Sequence, residues 1–310
     1  VNALAHRTST TPASWPRLGW LAVLVTGLVL FGAVGAVTLD TGDPIFLPCL
    51  LLLGAAIVPV TLTTFVTAVA HTHLSLPNIL TAAVLGGVLG GILAGTLEFD
   101  AARTLGWLPF AIVALIEECA KLAVPAVFLA WLAWRHTRPR AVDGLVLGVA
   151  VGSAFAAVET MGYAFTVLLR TGGNLQPVDH LLALRGLGSL GGHAAWTGLA
   201  CAALFAVPDA RRRGLASLRF LAVLVAAICL HAGWDSAAAI GHGDLAIGLL
   251  SFTALMALTW WLHRAARRSA ESPKAANRPP TGWIRPGAAP GGPPSTSGTL
   301  AGAPVTSAGP

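Results

Sequence analysis

The sequence predicts an all-α fold: a polytopic integral membrane helix bundle of about eight transmembrane helices, with both termini on the cytoplasmic side. Three observations carry that reading. The 310 residues are 55% hydrophobic and only 10% charged, against roughly 25% charged in an ordinary soluble domain, and the mean hydropathy is +0.75. Apolar runs of about 20 residues, the length that crosses a hydrocarbon core, recur along the chain. The basic residues collect in alternate connections between those runs.

The expected spans are 19–39, 45–69, 77–98, 106–134, 142–169, 181–207, 217–239 and 245–263. Ala33 and Ala36 give the first span a signal-like end, yet its apolar stretch exceeds the usual h-region of about 7 to 15 residues, so it is expected to be retained. Spans one to three and eight hold no residue of catalytic type and are expected to support the bundle and control access. Glycines four apart (Gly86/Gly90, Gly87/Gly91/Gly95, Gly144/Gly148/Gly152 and Gly188/Gly192) allow close helix approach in spans three, five and six. Spans four to seven carry the charged and imidazole groups.

Cytoplasmic connections hold the excess of Lys and Arg. With the N-terminus inside, the inner segments hold fifteen basic residues, among them Arg135, Arg138, Arg140 and Arg211 to Arg213, while the outer ones hold only Arg103 and Arg170. Acidic residues, Glu98 and Asp100 included, are expected outside. The chain divides into a cytoplasmic segment 1–18, a bundle 19–263 and a tail 264–310. The tail, with Gly287 to Pro294 as its clearest stretch, lacks core-forming periodicity and is expected to be disordered. The net charge of +6 is explained by topology, so no nucleic-acid partner is expected; the lipid bilayer is the first partner. Four cysteines inside apolar runs, Cys49, Cys119, Cys201 and Cys229, exclude a disulfide scaffold.

A charge at mid-bilayer costs about 2.5 to 3.5 kcal/mol on insertion scales, so each needs a reason. Span four holds Glu117, Glu118 and Lys121, span five Glu159, span six Arg185 and His193, and span seven His231 and Asp235. In span four the three charges cost about 7.5 to 10 kcal/mol, and its aliphatic and Phe residues return about 4 to 7. That helix requires partners. Lys121 reaches Glu117 at i−4 and Glu118 at i−3, but a plain ion pair leaves the second carboxylate unexplained. At 1.5 Å per residue, Glu117 and Glu159 lie roughly 15 Å from the outer ends of their spans, His193 roughly 18 Å and His231 roughly 14 Å. Four titratable groups on four helices share one level, as a constructed site predicts.

Two carboxylate positions and two imidazoles can hold or deprotonate a water, or ligate one divalent metal such as Zn2+, with Lys121 biasing the carboxylates. Nucleophiles are missing: Ser189 lacks the Gly-x-Ser setting of rhomboid-type proteases, and Cys119 is expected in the core. No His-Glu-x-x-His occurs. Gly241-His242-Gly243-Asp244 matches the Gly-x-Gly-Asp of presenilin-like proteases, but it falls in an expected outer turn, with Asp235 on the same helix.

Glu117-Glu118-Cys119-Ala120-Lys121 resembles the Glu-Glu-x-x-Lys motif of the PrsW family of intramembrane proteases, relatives of the CAAX-processing superfamily. Phe155 to Glu159 resembles its Phe-x-x-x-Glu element, and His193 to Gly198 and His231 to Asp235 resemble its two later histidine helices, all in order within residues 112–237. Thr160 and Asp235 stand where the family often has Asn. Each keeps an acceptor oxygen and loses the amide donor.

The resemblance implies hydrolysis of peptide bonds in a membrane-anchored protein, an anti-sigma factor in the best-known case. It implies Glu117 and Glu118 as general base and water-positioning groups, Lys121 as their cation, and Glu159, His193 and His231 as partners of the water or ligands of a metal. Asp235 orients water, binds metal or holds His231. Metal-dependent and metal-free hydrolysis both fit these residue types. A proton-coupled transporter or a non-catalytic scaffold of the immunity type shares the intramembrane polar residues, though the polar groups do not repeat in two halves as in many carriers. Tyr163 is expected at the membrane interface. Arg outnumbers Lys 17 to 2, which suggests a GC-rich bacterial gene and hence a plasma-membrane location.

Overall fold

The structure, a computed structural model, describes residues 18–241 and 243–271. The expected N-terminal segment and most of the expected tail lie outside the described residues, as does His242. The chain divides into a unit of residues 1–267 and a second of residues 268–310; the bundle belongs to the first.

Among the described residues the secondary structure is helical throughout: α1 (Gly19–Thr41), α2 (Leu47–Ala70, after a 3-10 turn Pro44–Phe46), α3 (Leu76–Leu105), α4 (Phe110–Trp134), α5 (Ala141–Arg170), α6 (Leu175–Gly188), α7 (His193–Ala206), α8 (Arg213–Ile240) and α9 (Asp244–Glu271). Six of them, α1, α2, α3, α5, α8 and α9, are long and apolar enough to cross a membrane alone. Two crossings need the bundle. The apolar run of α4 is interrupted by Glu117, Glu118 and Lys121, and α6 and α7 have 14 residues each, about 21 Å of helix and short of a full bilayer.

Together α6 and α7 follow one path antiparallel to α5. On α6, Val178 and Leu182 pack with Ala164 and Leu168 of α5 and with Leu51 and Ala55 of α2. On α7, the carbonyls of His193, Thr197 and Cys201 lie where a Cβ on Gly152, Gly148 and Gly144 of α5 would have to go. The glycine stripe of span five thus sets the helices backbone to backbone at the functional end of α7. The single expected sixth span is therefore corrected to two half-spans broken at Ser189 to Gly192, where the backbone is irregular. Such backbone is tolerated in a membrane only where it is buried in protein or lines a cavity.

The third span also differs from expectation. The apolar run ends near Glu98, but the helix continues to Leu105 and stops at Gly106, which adopts φ 74° and returns its N–H to Ala102. Glu98 and Asp100, expected in an outer connection, are helical. Backbone geometry at a left-handed glycine ends this helix, rather than polarity.

The bundle is apolar outside and charged inside. Large apolar residues such as Val29, Leu80, Ile92, Leu218 and Val225 are exposed, while Lys121, Glu118 and His231 are at most 2% exposed. Soluble proteins rarely expose that much contiguous apolar surface; in lipid this is the expected arrangement. The protein is a multi-pass membrane helix bundle. At its center α5 is surrounded by α2, α3 and α7. The half of the bundle nearest Arg140 and Arg211 to Arg213, the basic end, is closely packed: Leu145, Leu147, Val149, Val151 and Phe205 have no exposed surface.

Candidate active site

Four helices bring the charged groups together. On α4, Glu117, Glu118 and Lys121 fall on one face because they are three and four residues apart. Pro125, one turn further on, has no N–H for the Lys121 carbonyl, which loosens the helix beside the cluster. The Lys121 ammonium lies 2.7 Å from Glu118 Oε1 and 3.3 Å from Glu117 Oε2, 2.7 Å from His193 Nδ1, and 4.5 Å from the center of the Phe155 ring. Its three N–H donors have three acceptors, so a buried cation is fully satisfied.

The tautomers follow from these partners. Lys121 can only donate, so His193 Nδ1 accepts and its Nε2–H donates to Glu159 Oε2 at 2.8 Å. His231 Nδ1–H donates to Glu118 Oε1 at 3.0 Å, which leaves the His231 Nε2 lone pair facing Glu117 Oε2 at 3.6 Å and Asp235 Oδ2 at 3.5 Å. Each imidazole therefore has a carboxylate on one nitrogen and turns the other toward Glu117.

Aromatic residues fix both rings. Trp196 stacks on His231 at 4.7 Å between ring centers and meets His193 edge-on at 5.4 Å, and Phe155 meets His193 edge-on at 5.2 Å. The Trp196 indole N–H donates to Ser251 Oγ at 2.9 Å, tying this wall to α9.

Donor atoms of Glu117, His193 and His231 lie within 4.8 Å of one another, a group that could hold a metal ion. One carboxylate oxygen and two imidazole nitrogens suit Zn2+, and a carboxylate on the far nitrogen of each histidine is the support such ligands ordinarily have. The residues fit a divalent metal, provided Lys121 releases the His193 Nδ1 lone pair. In this group the carboxylate is Glu117, whereas the sequence reading grouped Glu159 with the two histidines. Glu159 instead supports His193 from the opposite nitrogen.

The other candidates separate clearly. Asp235 borders His231 from one turn along α8. The Ser189 hydroxyl donates to the Gly186 carbonyl at 2.6 Å, and Cys119 is exposed on the outer surface of α4, not in the core as expected. Neither joins the cluster.

Two residues were missed by sequence reading. The Glu98 carboxyl on α3 interacts electrostatically with Glu117, Glu159 and His231, and one of its oxygens is buried without a hydrogen-bond partner among the described residues. No sequence signal announced it, because the apolar run ends before the helix does; in the fold Ala94, one turn earlier on α3, packs against Ala120 and Phe155. Arg185, noted only as a charge near one end of a span, bonds to Glu159 at 2.6 Å.

A cavity of ≈ 610 Å3 leads to this cluster. His193, Thr160, Arg185 and Trp234 line it, and Pro177 and Asp244 lie at its far end, opposite the basic end.

The family model for PrsW family intramembrane metalloproteases matches residues 47–263. The chain belongs to this family. Comparison with curated proteins and with solved structures gives no significant match. The matched region takes in all of α2 to α8 and the site helices. As a PrsW family member the protein is an intramembrane protease, and its substrates are membrane-embedded proteins.

Proposed function

We propose that this PrsW family member is a zinc-dependent endopeptidase of the bacterial plasma membrane that cleaves a single-span anchored protein, with anti-sigma factors as the substrate class. The observation that carries the reading is the meeting of Glu117, His193 and His231 with donor atoms within 4.8 Å. Bound there, Zn2+ would polarize the scissile carbonyl and acidify a water.

The chain's own residues divide the remaining work. Glu118 and Glu159 each accept two hydrogen bonds on one oxygen, from Lys121 and His231 and from Arg185 and His193 respectively. Carboxylates so committed are occupied in orienting the imidazoles. Asp235, with its side chain 26% exposed and its Oδ2 3.5 Å from His231 Nε2, is placed to take a proton from the attacking water. As the C–N bond breaks, the same carboxyl returns that proton to the leaving amine. The substrate reaches the site through the cavity between α5, α6 and α8.

Co-expression of the protein with a tagged library of single-span membrane proteins tests this reading. Fragments are expected with the native protein and absent with Glu117→Gln at matched abundance. Asp235→Asn is expected to retain zinc and lose 10²- to 10⁴-fold in rate, the usual worth of a positioned base. Identical fragment patterns for native protein and Glu117→Gln, across a library containing the native partners, would overturn the proposal.

A further inference from the structure

Arg185 stands on α6, one turn before the break, and is held by three residues of α5. Its Nη2 donates to Glu159 Oε2 at 2.6 Å and its Nε to Thr160 Oγ1 at 3.2 Å, and its guanidinium carbon lies 4.4 Å from the center of the Tyr163 ring. Positions 159, 160 and 163 share one face of α5, so fork and aromatic shelf are built on a single rigid helix. The hydroxyl of Thr160, which is 3% exposed, spends its acceptor on this contact.

The oxygen that receives Arg185 also receives His193. Glu159 Oε2 is therefore shared by one residue from each side of the α6–α7 break. Four irregular residues separate the two half-spans and cannot by themselves fix how α6 stands relative to the histidine. The carboxylate bridge does. Lys121 is saturated by Glu117, Glu118 and His193, which leaves Arg185 as the cation bonded to Glu159.

We propose that Arg185 is a positioning residue of the active site: by clamping Glu159 it keeps that carboxylate on His193 Nε2–H, so that the ring, whose Nδ1 accepts from Lys121, stays turned toward Glu117, and so couples the half-span that lines the cavity to the histidine. The proposal rests on the reading of His193 as a working group of the site. Arg–carboxylate forks carry geometric information as well as charge, and residues that orient metal-ligating histidines typically influence affinity or activity by 10- to 100-fold.

The test uses full-length protein with 15N-labelled histidine in lipid nanodiscs, comparing native, Arg185→Ala, Arg185→Lys, Glu159→Gln and the Arg185→Ala/Glu159→Gln double variant. The His193 resonances, assigned by loss in His193→Asn, are expected to show an Nε2–H strongly hydrogen-bonded to Glu159 in the native protein and a shifted, weakened Nε2–H signal in Arg185→Ala, with Nδ1 still accepting from Lys121. Arg185→Lys restores charge at Glu159 without the fork and is expected to recover part of the native signal; it also serves if the alanine variant does not fold. Zinc affinity, read by chelator competition, and kcat are each expected to fall about 10- to 100-fold in Arg185→Ala, with KM changed less than threefold. The double variant is expected to match Glu159→Gln alone, because both changes cut one chain of contacts.

An unchanged His193 Nε2–H signal in Arg185→Ala, or fully additive losses in the double variant, would overturn the proposal and leave Arg185 as a pin between α5 and α6. The Nε2–H signal is read without substrate or metal, so this result stands apart from the proposed function. A native protein that binds no zinc removes the metal assignment and leaves the Arg185 outcome to the resonances.

Discussion

At the residue scale, Lys121 is the clearest case of a charge that the membrane interior permits only because every donor is used. Replacing Lys121 with Ala strands Glu117 and Glu118 around His231 with no cation between them. Breaking a buried pair in this way costs about 3 to 5 kcal/mol, so thermal unfolding in detergent micelles is expected at a markedly lower temperature. Glu118→Gln asks a narrower question. Its amide oxygen can still accept from His231, but the charge is gone, and zinc affinity measured by competition is expected to drop 10- to 100-fold while the fold persists. The positions of Glu117, Glu118, Glu159, His193 and His231 were legible in the sequence because charge and imidazole inside apolar runs are costly and their depths coincide. Glu98 and the role of Arg185 were not. For Glu98 the apolar run ends before the helix does, and for Arg185 the partner is set by a break that hydropathy does not register.

At the element scale, the interface between α5 and α7 decides where His193 sits. A Cβ on Gly152 would meet the His193 carbonyl, whereas one on Gly162 of the same helix would meet nothing within 4 Å. Gly152→Ala is therefore expected to destabilize the fold by about 1 to 3 kcal/mol and to impair zinc binding. Gly162→Ala is expected to be neutral or to stabilize by up to about 1 kcal/mol through helix propensity. Unfolding curves and zinc titrations on the two variants check this contrast, and equal behavior would refute it. Span positions were legible to within a few residues for α1, α2, α4 and α5. The α6–α7 break was hidden because Gly188 to Gly192 contains no proline and reads as another small-residue stripe. Only packing against α5 and α9, where Gly191 closes on the Gly248 carbonyl, makes it irregular.

At the scale of the whole molecule, counting α6 and α7 as one crossing gives eight, an even number that puts both termini on one side of the membrane. By the fifteen-to-two bias of basic residues that side is expected to be the cytoplasm. A fluorescent reporter that matures only in the cytoplasm is expected to be bright when fused after residue 271 and dark when fused at 173, in the α5–α6 connection. Brightness at both positions would refute the crossing count. The packed half of the bundle near the basic end bears on a different matter. A hydrophilic chamber sunk into an energized membrane is a hazard, because water and ions that enter from one face have only half the barrier left to cross. Here the floor of that chamber is the layer of Leu145, Leu147, Val149, Val151 and Phe205, without exposed surface. Water admitted to the reaction center through the cavity thus meets a packed apolar floor, the site being a well and not a leak.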